Sequence, residues 1–204
     1  MTRMRHRPLL LLTAVVCSAQ VIDFESGGLH YQTLTRNGVT IMFAHLPAQV
    51  REYATIQVAV SNGSSQPVTI KPEEFTWDMG LSSLRPVPAR RVVGEMLEKG
   101  GRNEVVGLVT AYETGIYGMT QLRSTAGYES RRRAALAEVN STKLKAAAAA
   151  SAIVFVAVKL APGESTDGAL FFSTAAKPLP KGTLRVRAAG ETFEYQPSEG
   201  LPAK

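Results

Sequence analysis

The chain has 204 residues, enough to bury the apolar core that a single domain needs. Its formal net charge of +6 is modest and no strong basic stripe accompanies it, which argues against nucleic-acid binding. With one cysteine it forms no intramolecular disulfide, so the hydrophobic core must hold the fold.

The first 19 residues predict a secretory signal peptide. An apolar stretch over residues 8–16 is too short to span a bilayer. Small residues then stand three positions and one position before a cleavage between Ala19 and Gln20. The positive region before the apolar stretch consists of Arg3, Arg5 and Arg7.

The alternative for this start is a lipoprotein anchored through Cys17. Such signals carry a small residue just before the cysteine, whereas this chain has Val16. We therefore expect a mature chain of residues 20–204 that is secreted or periplasmic and has no transmembrane span. Cleavage would remove three arginines and no acids, which lowers the net charge from +6 to +3.

The first part of the mature chain predicts a β-hairpin and a following strand. Residues 29–36 and 39–45 flank Asn37-Gly38, the strongest short hairpin signal, because a type I′ turn needs positive φ at both central residues. In residues 53–61, apolar side chains alternate with polar or small ones, which indicates a half-buried strand. Shorter strands are predicted at residues 67–71 and 75–77.

The far end is also predicted to be β. Residues 153–160 are apolar and β-branched, and Pro162-Gly163 ends them with a turn. A strand follows at 169–174. Residues 184–188 and 193–195 alternate around Ala189-Gly190 and predict a terminal hairpin.

The middle of the chain is predicted to be helical. Residues 89–101 carry apolar side chains at helical spacing, with Gly100 placed to end the helix. Residues 129–140 form a second helical stretch. Between them, residues 104–119 fit a strand, a loop or a loose apolar helix.

One stretch, residues 143–165, joins the helical part to the second β part. Ala146–Ala152 favours a helix, whereas Ile153–Val158 favours a strand because β-branched side chains are restricted in helices. Only 13 uncharged residues separate Lys145 from Lys159, too few for a membrane span. We expect a helix that ends near Ser151 and passes directly into a buried strand.

Two segments carry a family resemblance. Residues 53–77, YATIQVAVSNGSSQPVTIKPEEFTW, resemble the early strands of bacterial extracytoplasmic immunoglobulin-like domains. Residues 159–172, KLAPGESTDGALFF, are similar to their late strand-turn-strand. The resemblance implies a mainly β fold, an immunoglobulin-like antiparallel β-sandwich. Residues 86–151 would be an α-helical insert in this single domain of residues 20–204. Domains of this class are mostly of unassigned function and often adhesive, scaffolding or partner-binding, and the resemblance brings no catalytic residue with it.

The hairpin register brings the two histidines of the mature chain together. If Arg36 pairs with Val39, His30 lies opposite His45, with paired Cβ atoms about 5 Å apart. Two imidazoles at that distance could share a metal, and Asp23 or Glu25 could add a carboxylate. Two histidines at the rim of a core that stack or bond to the backbone are the more common arrangement.

Motifs for catalysis are lacking in the sequence. The mature chain has no cysteine, no Gly-x-Ser-x-Gly elbow, no His-Glu-x-x-His, no Walker loop and no dinucleotide fingerprint. We therefore expect no cofactor and a non-catalytic binding or envelope-associated module whose partner is a protein or envelope component. The alternative is a metal-dependent or cryptic enzyme that uses the helical insert as a lid.

Overall fold

The computed structural model describes residues 20–47, 50–99, 102–118, 127–137 and 142–197. The predicted signal peptide, including Cys17 and Ala19, lies outside these ranges. Within them the protein is mainly β, with antiparallel sheets and four helices. The strands are β1 (Ile22–Ser26), β2 (Leu29–Arg36), β3 (Val39–His45), β4 (Tyr53–Asn62), β5 (Val68–Ile70), β6 (Phe75–Asp78), β7 (Ser83–Leu84), β8 (Val158–Leu160), β9 (Ser165–Ser173), β10 (Thr183–Ala188) and β11 (Glu191–Glu194).

The largest sheet has five strands in the order β1-β2-β3-β4-β9. Its register is set by the turn between β2 and β3, where Asn37 and Gly38 have φ values of 47° and 77°. Positive φ at both positions is what a two-residue hairpin turn requires. Arg36 therefore pairs with Val39, as predicted from the sequence.

Two smaller sheets complete the β structure. One contains β11, β10, β6 and β7 in that order, and the other pairs β5 with β8. The predicted terminal hairpin is present as β10 and β11, joined by a turn at Ala189-Gly190. The strands β1 and β7 were not predicted from the sequence.

One hydrophobic cluster contains side chains from all three sheets. Strand β4 contributes Ala54, Ile56, Val58 and Val60, which lie on one face because side chains alternate along a strand. Trp77 of β6 is fully buried in this cluster, and its indole Nε1 donates to the carbonyl oxygen of Pro180 at 2.9 Å.

A second cluster covers the opposite face of the five-stranded sheet with helices. They are α1 (Ala89–Lys99), α2 (Arg102–Gly118), α3 (Tyr128–Ala137) and α4 (Thr142–Ile153). Because of them Thr55 and Gln57, which lie between the apolar positions of β4, are also buried. The prediction of a half-buried strand at 53–61 was therefore wrong: both faces of β4 are covered.

The helices lie close to their predicted positions. For residues 104–119 the sequence left three alternatives; residues 104–118 belong to the long helix α2, and Met119 lies outside the described residues. The predicted stop at Gly100 falls outside the described residues. In the part of the chain that the structure describes, no helix has both the length and the apolar character needed to cross a membrane.

The predicted change from helix to extended chain is present after α4, which ends two residues beyond Ser151. Val154 then forms a bridge to Ala169, and the backbone N–H of Phe155 donates to the Ala169 carbonyl oxygen at 2.9 Å. Ile153 belongs to the helical cluster and Phe155 to the other. The chain thus passes from one side of the sheet to the other beside its edge strand β9.

The strand predicted at residues 153–160 is shorter than expected, since β8 covers only Val158–Leu160. The crossing itself uses Val154 and Phe155. It also requires a glycine in β9, because a Cβ at Gly168 would lie 2.7 Å from the Cα of Phe155. Of the β-branched residues in this stretch, Ile153 and Val154 are buried, Val158 pairs in β8, and Val156 is exposed, so the predicted continuous buried strand is not formed.

Helix α2 lies directly on the sheet at Gly115. A Cβ at this position would lie 2.5 Å from Oε1 of Gln57 and 2.6 Å from Cδ1 of Leu29, both of them on buried residues. Gly107 of the same helix has no neighbour within 4 Å of such a Cβ.

We expect Gly115→Ala to lower the free energy of unfolding by about 1–2 kcal/mol, because overpacking a buried contact outweighs the gain in helix propensity. Gly107→Ala serves as the matched control and should raise it by about 0.5–1 kcal/mol. Urea denaturation followed by circular dichroism measures both. Equal effects of the two substitutions would contradict the close packing of α2 on the sheet.

Candidate functional site

The two histidines of the predicted metal pair differ in their environments. The ladder between β2 and β3 runs in the predicted register as far as Tyr31 opposite Ala44, one residue short of the histidines. His30 is exposed and pairs in register with Glu25 of β1, whereas His45 is half-buried. Among the described residues no group of three or more His, Cys, Asp or Glu side chains is arranged to hold a metal ion. Metal binding by His30 and His45 stays a prediction.

His45 packs among aromatic rings. Its ring lies edge-on to Trp77 with centroids 5.2 Å apart and to Phe43 with centroids 5.9 Å apart. Burial disfavours the charged imidazolium and lowers the pKa of His45 from 6.5 to about 4. The imidazole is therefore neutral at pH 7 and behaves as part of the core at this edge.

A buried polar network joins the helices to β9 through Asp167, which is 1% exposed. Its carboxylate accepts hydrogen bonds from the Tyr112 hydroxyl and from the backbone N–H of Tyr128, the latter at 3.1 Å. The Arg131 guanidinium donates to the carbonyl oxygens of Asp167, at 2.7 Å, and Ala152, at 2.8 Å. The Asp167 side chain thus connects α2 and α3 to β9, and Arg131 connects the end of α4 to the same strand.

The Asp167 network is better suited to holding the helices on the sheet than to catalysis. Burial and the neighbouring Asp167 charge raise the pKa of Tyr112 well above its ordinary value, so the phenol stays a hydrogen-bond donor. Tyr31 donates to Gln57 in the same layer at 2.8 Å, and burial raises the pKa of that phenol too. Because Asp167 and Tyr112 are fully enclosed by protein, a substrate has no approach to them.

A groove lies on the outer face of the four-stranded sheet. Its volume is about 470 Å³, within the range of small-ligand sites. Strands β6, β10 and β11 supply the floor, and the turn between β6 and β7 supplies further lining. The lining residues are Glu74, Thr76, Asp78, Gly80, Leu81, Ser82, Ser83, Arg185, Arg187 and Thr192.

Strand alternation places these floor side chains outside. Leu184 and Val186 point into the core, so Arg185 and Arg187 between them face the groove. The same alternation on β6 buries Phe75 and Trp77. Thr76 stands opposite Arg185 and Thr192 opposite Arg187, which makes the floor a surface of hydroxyl and charged groups.

The two arginines of the floor have different partners. Arg185 lies between two acids: it binds the Asp78 carboxylate and, at 3.1 Å, the Glu194 carboxylate. Arg187 makes no ion pair with any residue in the ranges that the structure describes. Both side chains are solvent-exposed. The groove therefore presents one neutralised cation and one cation that is open to a ligand.

The turn between β6 and β7 is held beside the groove by local hydrogen bonds. The Asp78 carboxylate accepts the backbone N–H of Gly80 at 2.7 Å, and Met79 N–H donates to the Ser82 carbonyl oxygen at 2.9 Å. Gly80 has a φ of +85°, which favours glycine. The side chain of Leu81 at the tip is fully exposed.

Sequence reasoning missed this groove. The alternation of Leu184, Arg185, Val186 and Arg187 contained a usable signal, because it places two arginines on the solvent face of a predicted strand. The turn at Gly80 contained none, since the pairing of β6 with β7 was not predicted. Of the residues at the predicted cleavage site, Gln20 is exposed and Ala19 lies outside the described residues.

Comparison with known protein families, curated proteins and solved structures gives no match to this chain.

The pKa of His45 predicts a pH-dependent stability. The folded pKa of about 4 lies below the ordinary 6.5, so the unfolded chain binds more protons between these values. The neutral imidazole contributes fully to the free energy of unfolding above pH 6.5, and this contribution is lost as the pH falls towards 4. We expect His45→Gln to reduce the drop in unfolding free energy between pH 7 and pH 4 by roughly 3 kcal/mol.

His30→Gln is the matched control, because it removes an exposed histidine and leaves the packed His45 in place. Urea unfolding of the three proteins at several pH values measures the difference. Parallel pH profiles for His45→Gln and the parent protein would contradict the burial of a neutral imidazole.

Proposed function

We propose that the protein is a secreted or periplasmic immunoglobulin-like β-sandwich that carries its helices as an insert and acts as a non-catalytic binding module. The mainly β architecture with antiparallel sheets supports this proposal. The helices follow one another over residues 89–153, between β7 and β8, which is what an insert into a β domain would look like. The signal-like start of the chain supports the location.

The groove on the four-stranded sheet is the proposed ligand-contacting surface. The observation that carries this is the combination of about 470 Å³ of open space with an exposed cation, Arg187, and a fully exposed leucine, Leu81. A side chain such as Leu81 gains free energy when a partner removes it from water. The groove lies outside the helical layer, so a ligand reaches it without any movement of the helices.

The enzyme alternative, with the helices as a lid, has less support. The inner faces of the helices are packed against the sheet, where Leu108 and Tyr112 are fully buried. The groove lining contains two carboxylates and two arginines but no histidine or cysteine. Asp78 is already paired with Arg185, which leaves no activated nucleophile among these residues.

A photo-crosslinking residue placed at Leu81 tests the binding proposal in the producing cells. We expect ultraviolet light to give one dominant adduct, because the ligand would cover this side chain. The matched control carries the same residue at Tyr117 of α2, which is 53% exposed but lies outside the groove. Mass spectrometry of the products measures the yield at each position.

An adduct at position 81 that is absent at position 117 would support the groove as the binding surface. Equal labelling at both positions, or labelling at neither, would contradict the proposal.

A further inference from the structure

We infer that the groove binds an extended peptide segment through an acidic side chain, and that Arg187 is the residue that recognises the acid. The inference rests on the proposed function, because it names the ligand class of the groove. Arginine matches a carboxylate well, since its planar guanidinium can donate two parallel hydrogen bonds.

The two arginines on β10 differ in the charges of the residues around them. Arg185 is already satisfied by Asp78 and Glu194 on the flanking strands. Across the sheet from Arg187 stands Thr192, a neutral residue. An incoming carboxylate would therefore find its counter-charge at Arg187 and would be repelled by the acids around Arg185.

The remaining acid of the lining, which shares the groove with Arg187, has a local hydrogen-bond partner. Glu74 ends the 3-10 turn Pro72–Glu74, and its carboxylate accepts the backbone N–H of Lys71 at 2.9 Å. The Glu74 backbone N–H donates in return to the Lys71 carbonyl oxygen at 3.1 Å, so both bonds belong to the turn. Among the described residues no ion pair joins Glu74 to Arg187.

The other lining groups suit a peptide. Thr76, Thr192, Ser82 and Ser83 offer hydroxyls to the amide groups of an extended backbone. Leu81 offers an apolar contact to a neighbouring side chain. No aromatic ring is among the lining residues, so a nucleotide would lack the stacking partner that bases use. An acid next to an apolar side chain on an extended chain would contact Arg187, Leu81 and these hydroxyls.

The probe is a fluorescent, acetylated and amidated decapeptide that alternates Leu and Glu, and its counterpart alternates Leu and Gln. Fluorescence anisotropy with the full mature chain measures both affinities. Physiological salt is used because it screens long-range electrostatic attraction. We expect the Leu-Glu peptide to bind at least tenfold more tightly than the Leu-Gln peptide. Arg187→Gln should remove that difference.

Arg133→Gln is the matched control, because Arg133 is an exposed arginine on α3 outside the groove. This substitution changes the net charge by the same amount and should leave the tenfold preference intact. Near-ultraviolet circular dichroism of each variant confirms that the fold is unchanged before binding is compared.

Equal affinity for both peptides would overturn the recognition of an acid. Equal losses in Arg187→Gln and Arg133→Gln would overturn the assignment to the groove. If millimolar inorganic phosphate displaces the fluorescent peptide as effectively as unlabelled peptide does, the ligand is a free anion and the assignment of a peptide is overturned. If the Leu-Glu peptide does not bind while the adduct at position 81 is still formed, the ligand class is wrong and the binding proposal stands. If neither peptide binding nor the adduct is observed, the ligand class and the binding proposal are both overturned.

Discussion

The central strands of the five-stranded sheet are buried on both faces, and the rest of the structure follows from that constraint. Nearly every residue of β4 is buried, so neither face of this strand can meet water. Exposing either face would cost free energy in proportion to its apolar area. The small sheets cover one face and the helices cover the other, which makes the helical part a structural layer of the protein.

The two covers are attached by different means. The strand-side cluster is almost entirely apolar, with Trp77 and Tyr195 bonded to backbone carbonyl oxygens. The helix side buries Gln57 and Asp167, and buried polar groups of this kind need partners. Hydrogen bonds from Tyr112 and from the N-terminus of α3 satisfy the Asp167 carboxylate, so they hold the helices in one orientation on the sheet.

Much of the fold could be predicted from local rules, and the failures have physical causes. Asn37-Gly38 determined the hairpin register because its turn has one compatible geometry. Helix α2 was left open because its glycines and β-branched residues disfavour a helix locally, while Gly115 serves close packing on the sheet. The covering of the polar side of β4 depends on helices that are distant in the sequence, such as α1, where Glu95 lies 42 positions from Tyr53. The groove was missed for the same reason, because β6 meets the predicted hairpin of β10 and β11 only in the folded chain.

The central claim is that the helices unfold together with the sheet and do not open as a lid. Native-state hydrogen exchange in increasing denaturant tests it directly by measuring the opening free energy of each amide. The account predicts that amides of α2 around Leu108 and Tyr112 open with the same free energy as those of β4 and β9. Opening of the α2 amides at several kcal/mol below the β4 amides would contradict it.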